Sequence, residues 1–408
     1  MTYSYECTVA EGLGIGKPML EDRTEKCLIK FGTPFLDGAS ENYWGYRGKS
    51  NRFNKALQEI PPIVSFENSS LFGIEVEIEN VSYKREDDAV PVGWSKKGDG
   101  SLRNGVEYIS WPANAAESRA LIASLYLFFI EQLKKTPEFS WRTSIHVHLN
   151  VRPLTTQQLG NLSLLYCIFE FLLFRFAAPE RMDNIFCVPV TDSTLGSKLN
   201  TFLNSPILKV LPADSLIYLF DGWDKYSALN FSRLRDLGTV EFRHMGGTWD
   251  TEKLGYWLNL IGALYDASVR LSREWIVSQL KGLNSLSNYG EFKQNIFGDT
   301  LSNILGEPDD FIQVLSHGVS FAKQCLVPMQ NFERQIEKNS PADIWAHRLF
   351  EKFKQLPQDK ETRKRKSIDV IIPGHSPMTG PLVWTTLENM VSEQASSLAT
   401  STFTINSL

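Results

Sequence analysis

The 408-residue chain is 42% hydrophobic, 22% charged and 12% aromatic, which excludes wholesale disorder and allows a substantial core in two or three domains. Its 42 basic and 47 acidic residues leave a net charge of −5, which argues against a general polyanion-binding surface. The N-terminus MTYSYECTVAEGLG lacks the basic-then-apolar pattern of a secretory leader. The apolar stretch 120–130 falls short of the roughly 20 residues a membrane span needs, and 162–176 is interrupted by Glu170 and Arg175. Both read as buried core helices. Five cysteines with no CxxC pair argue against a disulfide framework or zinc ribbon and for a reducing, cytoplasmic setting. Cys167 and Cys187 read as core residues rather than nucleophiles.

Residues 1–65 are rich in Gly, Pro and polar side chains, and an irregular N-terminal extension is expected there. Strict alternation over 71–80 predicts a strand, with Phe72, Ile74, Val76 and Ile78 on one face and Gly73, Glu75, Glu77 and Glu79 on the other. Gly73 is expected to admit a close-approaching backbone or ligand. A polar, hairpin-like stretch over 83–100 leads to a strand around 106–110. Pro112 and Asn114, with Glu117 three residues on, predict a capped helix whose face runs through Leu121, Leu125, Phe129 and Leu133. A strand over 144–151 and a helix capped by Thr155 and Gln158, reaching about 176, come next. A short strand over 239–244 precedes an amphipathic helix from Asp250 through Leu254, Trp257, Leu258, Ile261 and Tyr265. These elements define a core at 66–275, followed by a mainly helical C-terminal region at 276–392 and a flexible tail at 393–408. The basic run 360–366 reads as a solvated surface. Strands separated by long helices, without regular βαβ alternation, predict an α+β fold with an antiparallel sheet.

Four segments place polar residues where a strand would carry apolar ones. Glu75, Glu77 and Glu79 share one strand face, an arrangement that is costly to bury unless something positive sits among them; the plain alternative is a solvated outer face. Asp99-Gly100-Ser101 reads first as a turn, whereas Glu107 stands in an apolar strand between Val106 and Tyr108. His146 and His148 share a face, as imidazoles that suit a divalent metal or phosphate. Glu241 and Arg243 also share a face, with a cross-strand ion pair as the plain alternative. If these strands are neighbours, their polar sides line one cleft. Carboxylates with a histidine suit magnesium or manganese, and histidine with cationic side chains suits phosphate.

The segments FGIEVEIE, GDGSLRNGVEYIS, SIHVHLNV, KYSALN and TVEFRHMGGTWD resemble, in that order, the motifs of the amidoligase family, carboxylate–amine ligases related to glutamine synthetase and glutamate–cysteine ligase. The resemblance covers 71–264. It implies a glutamine synthetase-like curved antiparallel sheet with helices on one face, ATP with Mg2+ or Mn2+, and two metal sites. Glu75, His146 and Glu241 would hold the ion that bridges the ATP phosphates, and Glu77 and Glu107 the ion near the acid substrate. His148 would contact phosphate and Arg243 the phosphoryl group in transfer, so that Arg243, Glu107 and Glu241 carry the catalytic roles. Lys225 and Asn230 would contact phosphate or substrate. Lys225 stands where relatives often show arginine, with Arg233 and Arg235 as substitutes.

The implied reaction joins a carboxylate to an amine through an acyl phosphate. A metal-dependent amide or phosphoester hydrolase and a catalytically silent binding protein are the alternatives. The implied partners are an acid and an amine, each a small molecule, a peptide or borne on a macromolecule. Neither a membrane nor, overall, nucleic acid is implied. Relatives in phage and bacterial gene clusters imply such an origin and a cytoplasmic location, and the chain is expected to be a monomer or small oligomer.

Overall fold

Three segments that alternate apolar and polar residues build the centre of one antiparallel sheet. The computed structural model describes residues 71–81, 93–132, 137–151, 153–192, 195–204 and 225–326, with Pro91, Phe220 and Trp223. The expected N-terminal extension, the basic run at 360–366 and the tail lie outside the described residues. Strands β1 (Phe72–Ile78), β2 (Trp94–Gly98), β3 (Val106–Ser110), β4 (Ser144–Asn150), β5 (Leu229–Asn230) and β6 (Thr239–Gly246) pair in the order β2-β3-β1-β4-β6-β5. Every pairing is antiparallel. The described chain is therefore α+β, as the sequence predicts.

The main helices start where polar side chains satisfy free backbone N–H groups. In α1 (Ala115–Gln132) the Asn114 side chain accepts from Glu117 N, and the Glu117 carboxylate accepts from Asn114 N. Thr155 and Gln158 form the same reciprocal box at α2 (Thr156–Ala177). Beyond α3 (Gly196–Asn204) and the single turn α4 (Leu234–Leu237) comes α5 (Thr251–Arg270), opened by Asp250 accepting from Lys253 N. Then follow α6 (Arg273–Gly282), α7 (Leu286–Leu305), α8 (Phe311–Val314) and α9 (Ser320–Cys325).

These helices cover one face of the sheet. Phe72, Ile74, Val76 and Ile78 of β1 and Ile145, Val147 and Leu149 of β4 are fully buried, each such side chain contributing about 1.5–3 kcal/mol. On α1, Leu121 O accepts from the Trp94 indole at 3.0 Å, and Phe128 and Phe129 pack on Tyr108. On α5, Trp257 packs on Phe242 and His244 of β6. Phe292 of α7 stacks on Phe169 of α2, so the helices after residue 275 join the same core. By length and composition α2 would pass for a membrane span, but most of it is buried inside the fold. Cys167, Cys187 and Cys325 are buried free thiols.

Two glycines differ. A Cβ at Gly247 would lie 2.3 Å from the Phe139 ring and 2.7 Å from Thr143 Oγ1, so that turn requires glycine. At Gly73 it would meet only His148 Cβ, at an ordinary 3.5 Å. The close approach expected there is not demanded by any described neighbour.

Candidate active site

The other face of the sheet collects the polar residues, and strand register decides which ones meet. Glu75 stands opposite His146, and Gly73 opposite His148. Glu77 stands opposite Glu107, itself opposite Lys97. His148 is in turn opposite Glu241, and Glu241 opposite Asn230. A one-residue shift in the β4–β6 register falls between Ile145 and Val147, next to His146. Four of the six strands thus supply one cluster of carboxylates and imidazoles, and β2 and β5 flank it.

Hydrogen bonds orient the His146 ring. The Ser144 hydroxyl donates to Glu77 Oε2 at 2.6 Å and lies 2.6 Å from His146 Nε2. The hydroxyl proton being spent on Glu77, the network assigns the ring proton to Nε2, which donates to Ser144. Nδ1 then faces two carboxylate oxygens, Glu75 Oε2 and Glu241 Oε1, each at 3.3 Å. Their like charges are offset there either by a proton on the ring or by a metal ion bound to Nδ1. Ligand atoms from Glu75, His146 and Glu241 all lie within 4.8 Å of one another. Two carboxylates and an imidazole whose other N–H is hydrogen-bonded fit a hard divalent ion.

Electrostatics separate the two ends of this face. Burial pushes Glu75 up, but the His148 charge and the close approach of both imidazoles hold it well below the usual carboxylate range. Glu241 is likewise buried yet lowered, chiefly by Arg243 and then by His148 and His146. At the far end burial prevails. Glu77 is raised, and Glu107 is pushed up to about 9 by burial and the Glu75 charge, against the pull of Lys97, whose Nζ lies 3.2 Å from Glu107 Oε2. His148 is raised: burial lowers it most, but the charges of Glu75 and Glu241 and the close Glu75 carboxylate together outweigh that. Its Nδ1 lies 3.1 Å from Thr239 Oγ1. Its Nε2 stands 3.3 Å from Glu75 Oε1, off the line a hydrogen bond needs, and is buried without another partner.

Arg243 is 14% exposed and anchored twice, by Glu241 Oε1 and by the Phe186 carbonyl at 3.1 Å. Asn230 donates to Glu241 Oε2 at 2.6 Å and accepts from Ser232 N, so its amide orients a carboxylate of the triad. Lys225 is exposed, with its ammonium 4.9 Å over the Tyr226 ring. Arg233 is exposed, and its charge reaches His148; the Arg235 side chain lies outside the described residues. Asp99 accepts from Ser101 N at 2.6 Å, the turn role read from the sequence, and Glu79 accepts from Arg103 N. Sequence reasoning passed over Ser144, Lys97 and Phe186. Ser144 carried a signal, because it shares a strand face with His146 and His148.

One face of the α+β sheet is closed by helices and the other is lined by a carboxylate–imidazole cluster beside a fixed arginine, in which Glu75, His146 and Glu241 could hold a metal ion. Residues 127–265 match the family model described as "putative amidoligase enzyme". The matched segment contains His146, His148, Glu241 and Arg243, while Glu75, Glu77 and Glu107 reach the same cluster from outside it. No curated protein and no solved structure matches the chain.

Proposed function

We propose that the protein is an ATP-dependent ligase that joins a carboxylate to an amine through an acyl phosphate, on a sheet of the glutamine synthetase type. The observation that carries this reading is the convergence of His146 Nδ1, Glu75 Oε2 and Glu241 Oε1 beside the Arg243 guanidinium. Glu75, His146 and Glu241 would hold one Mg2+ or Mn2+, and Glu77 and Glu107 a second. Such ions supply charge neutralisation for the ATP phosphates and for the acid. Arg243, held through Nε and Nη1, keeps its remaining N–H groups for the phosphoryl oxygens as charge spreads during transfer. His148, with Nε2 unspent, suits a phosphate oxygen. The acid oxygen attacks the γ-phosphorus and ADP leaves. The amine nitrogen then attacks the acyl carbon, the bond from that carbon to the phosphate oxygen breaks, and phosphate and one amine proton are released.

The test uses the full chain with ATP, magnesium and pooled acids and amines, read by mass spectrometry. A condensed product whose mass equals acid plus amine minus water, formed together with ADP, is expected. Amide or phosphoester cleavage without nucleotide would replace the ligase reading with a hydrolase.

A further inference from the structure

Arg243 sits where β6 departs from regular pairing. Between the pairs Ile145–Met245 and Val147–Phe242, β6 carries one more residue than β4, so Arg243 and His244 share the place beside His146. A bulge of this kind leaves ladder groups unpaired and re-aims a side chain. Here the loosened backbone is taken up from outside the strand pair. Arg243 N donates to the Ala228 carbonyl at 2.9 Å, and the Arg243 carbonyl accepts from Arg181 Nε at 3.2 Å. His244 is held from the helix side, its Nε2 2.9 Å from the Tyr166 hydroxyl.

One short segment, 181–186, grips Arg243 by both backbone and side chain. Arg181 holds its carbonyl, and the Phe186 carbonyl accepts from its Nε at 3.1 Å. Asn184 ties the segment together. Its backbone N–H donates to the Arg181 carbonyl at 3.0 Å, and its Oδ1 accepts from Phe186 N at 2.8 Å, an Asx-type turn. The same side chain reaches out of the segment, Nδ2 donating to the Trp141 carbonyl at 2.8 Å. Arg181 Nη1 donates to the Thr143 carbonyl at 3.3 Å. The Trp141 and Phe186 rings stack, with centroids 6.0 Å apart. The segment is thus pinned to the turn that leads into Ser144 and β4. Asn184 and Arg181 are both buried, so losing one of these bonds leaves a buried polar group unsatisfied.

A guanidinium on a flexible side chain meets a charge in flight best when its direction is set beforehand. Glu241 fixes one corner of the Arg243 fork. The Phe186 carbonyl fixes another, and Asn184 decides where that carbonyl stands.

We propose that Asn184 and Arg181 are positioning residues, which aim the Arg243 guanidinium through the Phe186 carbonyl and the bulged backbone without touching substrate. Their part in phosphoryl transfer rests on the ligase reading; the clip on Arg243 does not.

The clip is tested first by magnetic resonance of the full chain, isotope-labelled at arginine nitrogen. The Arg243 Nε–H signal is assigned by its loss in Arg243→Lys. In Asn184→Ala its exchange with water should quicken roughly tenfold, the worth of about one hydrogen bond. Asn184→Ser keeps a hydroxyl that accepts from Phe186 N but falls short of Trp141. It should show a smaller quickening, and it carries the test if Asn184→Ala fails to fold. Asn161→Ala removes another buried amide, one that serves Arg273 and the Leu271 carbonyl on the helix side, and should leave the signal unchanged. Unchanged exchange in the folded Asn184 variants, or equal quickening in Asn161→Ala, overturns the clip. With an acid and amine that yield ADP, Asn184→Ala should lower turnover about tenfold or more while Mn2+ affinity holds. The same change made in Arg243→Lys should cost little further, as residues acting as a unit are not additive. Additive losses, or a matching fall in Mn2+ affinity, overturn the assignment to Arg243. A quickened signal with no ADP from any acid and amine refutes the ligase reading and leaves the clip standing.

Discussion

The two faces of the sheet obey opposite rules, although the same strands make both. Along β1, Phe72, Ile74, Val76 and Ile78 are buried against helices and spend their burial on stability. Between them, Glu75 and Glu77 are carried into a desolvated cluster that includes His146, His148, Glu107 and Glu241. The helix face closes most of its polar groups into networks, although His244 Nδ1 and Trp257 Nε1 are buried there without a partner. There the Tyr166 hydroxyl donates to Glu170, and Glu170 also accepts from Val190 N, Thr191 N and the Thr191 hydroxyl. The opposite face gathers like charges, two carboxylate oxygens meeting at His146 Nδ1, an imbalance that a proton on the ring or a bound metal ion offsets. A fold can hold that imbalance because the helix side provides the surplus stability.

Neighbouring residues of β6 break this comparison most directly. Phe242→Ala, on the helix side, should cost about 3–5 kcal/mol of stability, read as a lower denaturation midpoint. Glu241→Gln, one residue away, strips the buried Arg243 of its counter-charge and should also lower the midpoint, but in the folded variant it should lower turnover roughly 10³-fold as well, through loss of a ligand and of the Arg243 anchor. Folded Phe242→Ala should keep its turnover, and equal turnover in the two folded variants would erase the distinction between the faces.

Effects of about 2.7 kcal/mol are expected at two further positions. Arg243→Lys keeps the charge but loses the planar fork that serves Glu241 and Phe186 together. Turnover should fall roughly 10²-fold, with a smaller change in ATP affinity. Near-normal turnover with a lowered melting temperature would reduce Arg243 to a structural ion pair.

Glu107 gives a pH signature. Its folded carboxyl is pushed to about 9 from an ordinary 4.5, so between those values the folded state binds the extra proton. Its contribution to stability is fully present below the ordinary value and is lost as pH rises toward 9. At about 1.4 kcal/mol per pH unit, metal-free wild type should lose about 2.7 kcal/mol between pH 6 and pH 8 relative to Glu107→Gln. Parallel stability curves for the two proteins would show that the carboxyl is not raised. If Glu107 is a metal ligand, binding must also release that proton, so wild-type affinity for Mn2+ should climb with pH over the same range.

Much of this arrangement was legible because its signals are local. Alternation over β1 fixes which residues share a face, and a one-residue slip would have put Phe72, Ile74, Val76 and Ile78 on the polar side. The boxes at Asn114/Glu117 and Thr155/Gln158 fix helix starts through hydrogen bonds between residues three apart. The pairs His146/His148 and Glu241/Arg243 announced themselves as polar residues on strand faces. Strand β5 did not, because two residues, Leu229 and Asn230, show no period. The Phe186 carbonyl that anchors Arg243 is a backbone group with no sequence signature. The meeting of Arg142 with the Ser101 carbonyl, or of Glu170 with Val190 and Thr191, depends on loop paths that no local pattern encodes.

Asn230 sharpens the comparison at its smallest scale. The resemblance assigned it to phosphate or substrate, yet Nδ2 donates to Glu241 Oε2 and Oδ1 accepts from Ser232 N, so both ends of the amide are already engaged. An orienting group of this kind is worth about 10- to 100-fold in metal affinity. Asn230→Ala should therefore weaken Mn2+ binding about tenfold, with little change in melting temperature, since the β6 strand beside it remains paired to β4. Asn230→Asp should do worse, by setting a second carboxylate against Glu241. A phosphate-contacting role predicts another pattern: unchanged Mn2+ affinity and weaker ATP binding in both variants. Titrating the two ligands separately decides between them, and a loss confined to ATP would release Asn230 from its place behind the metal triad.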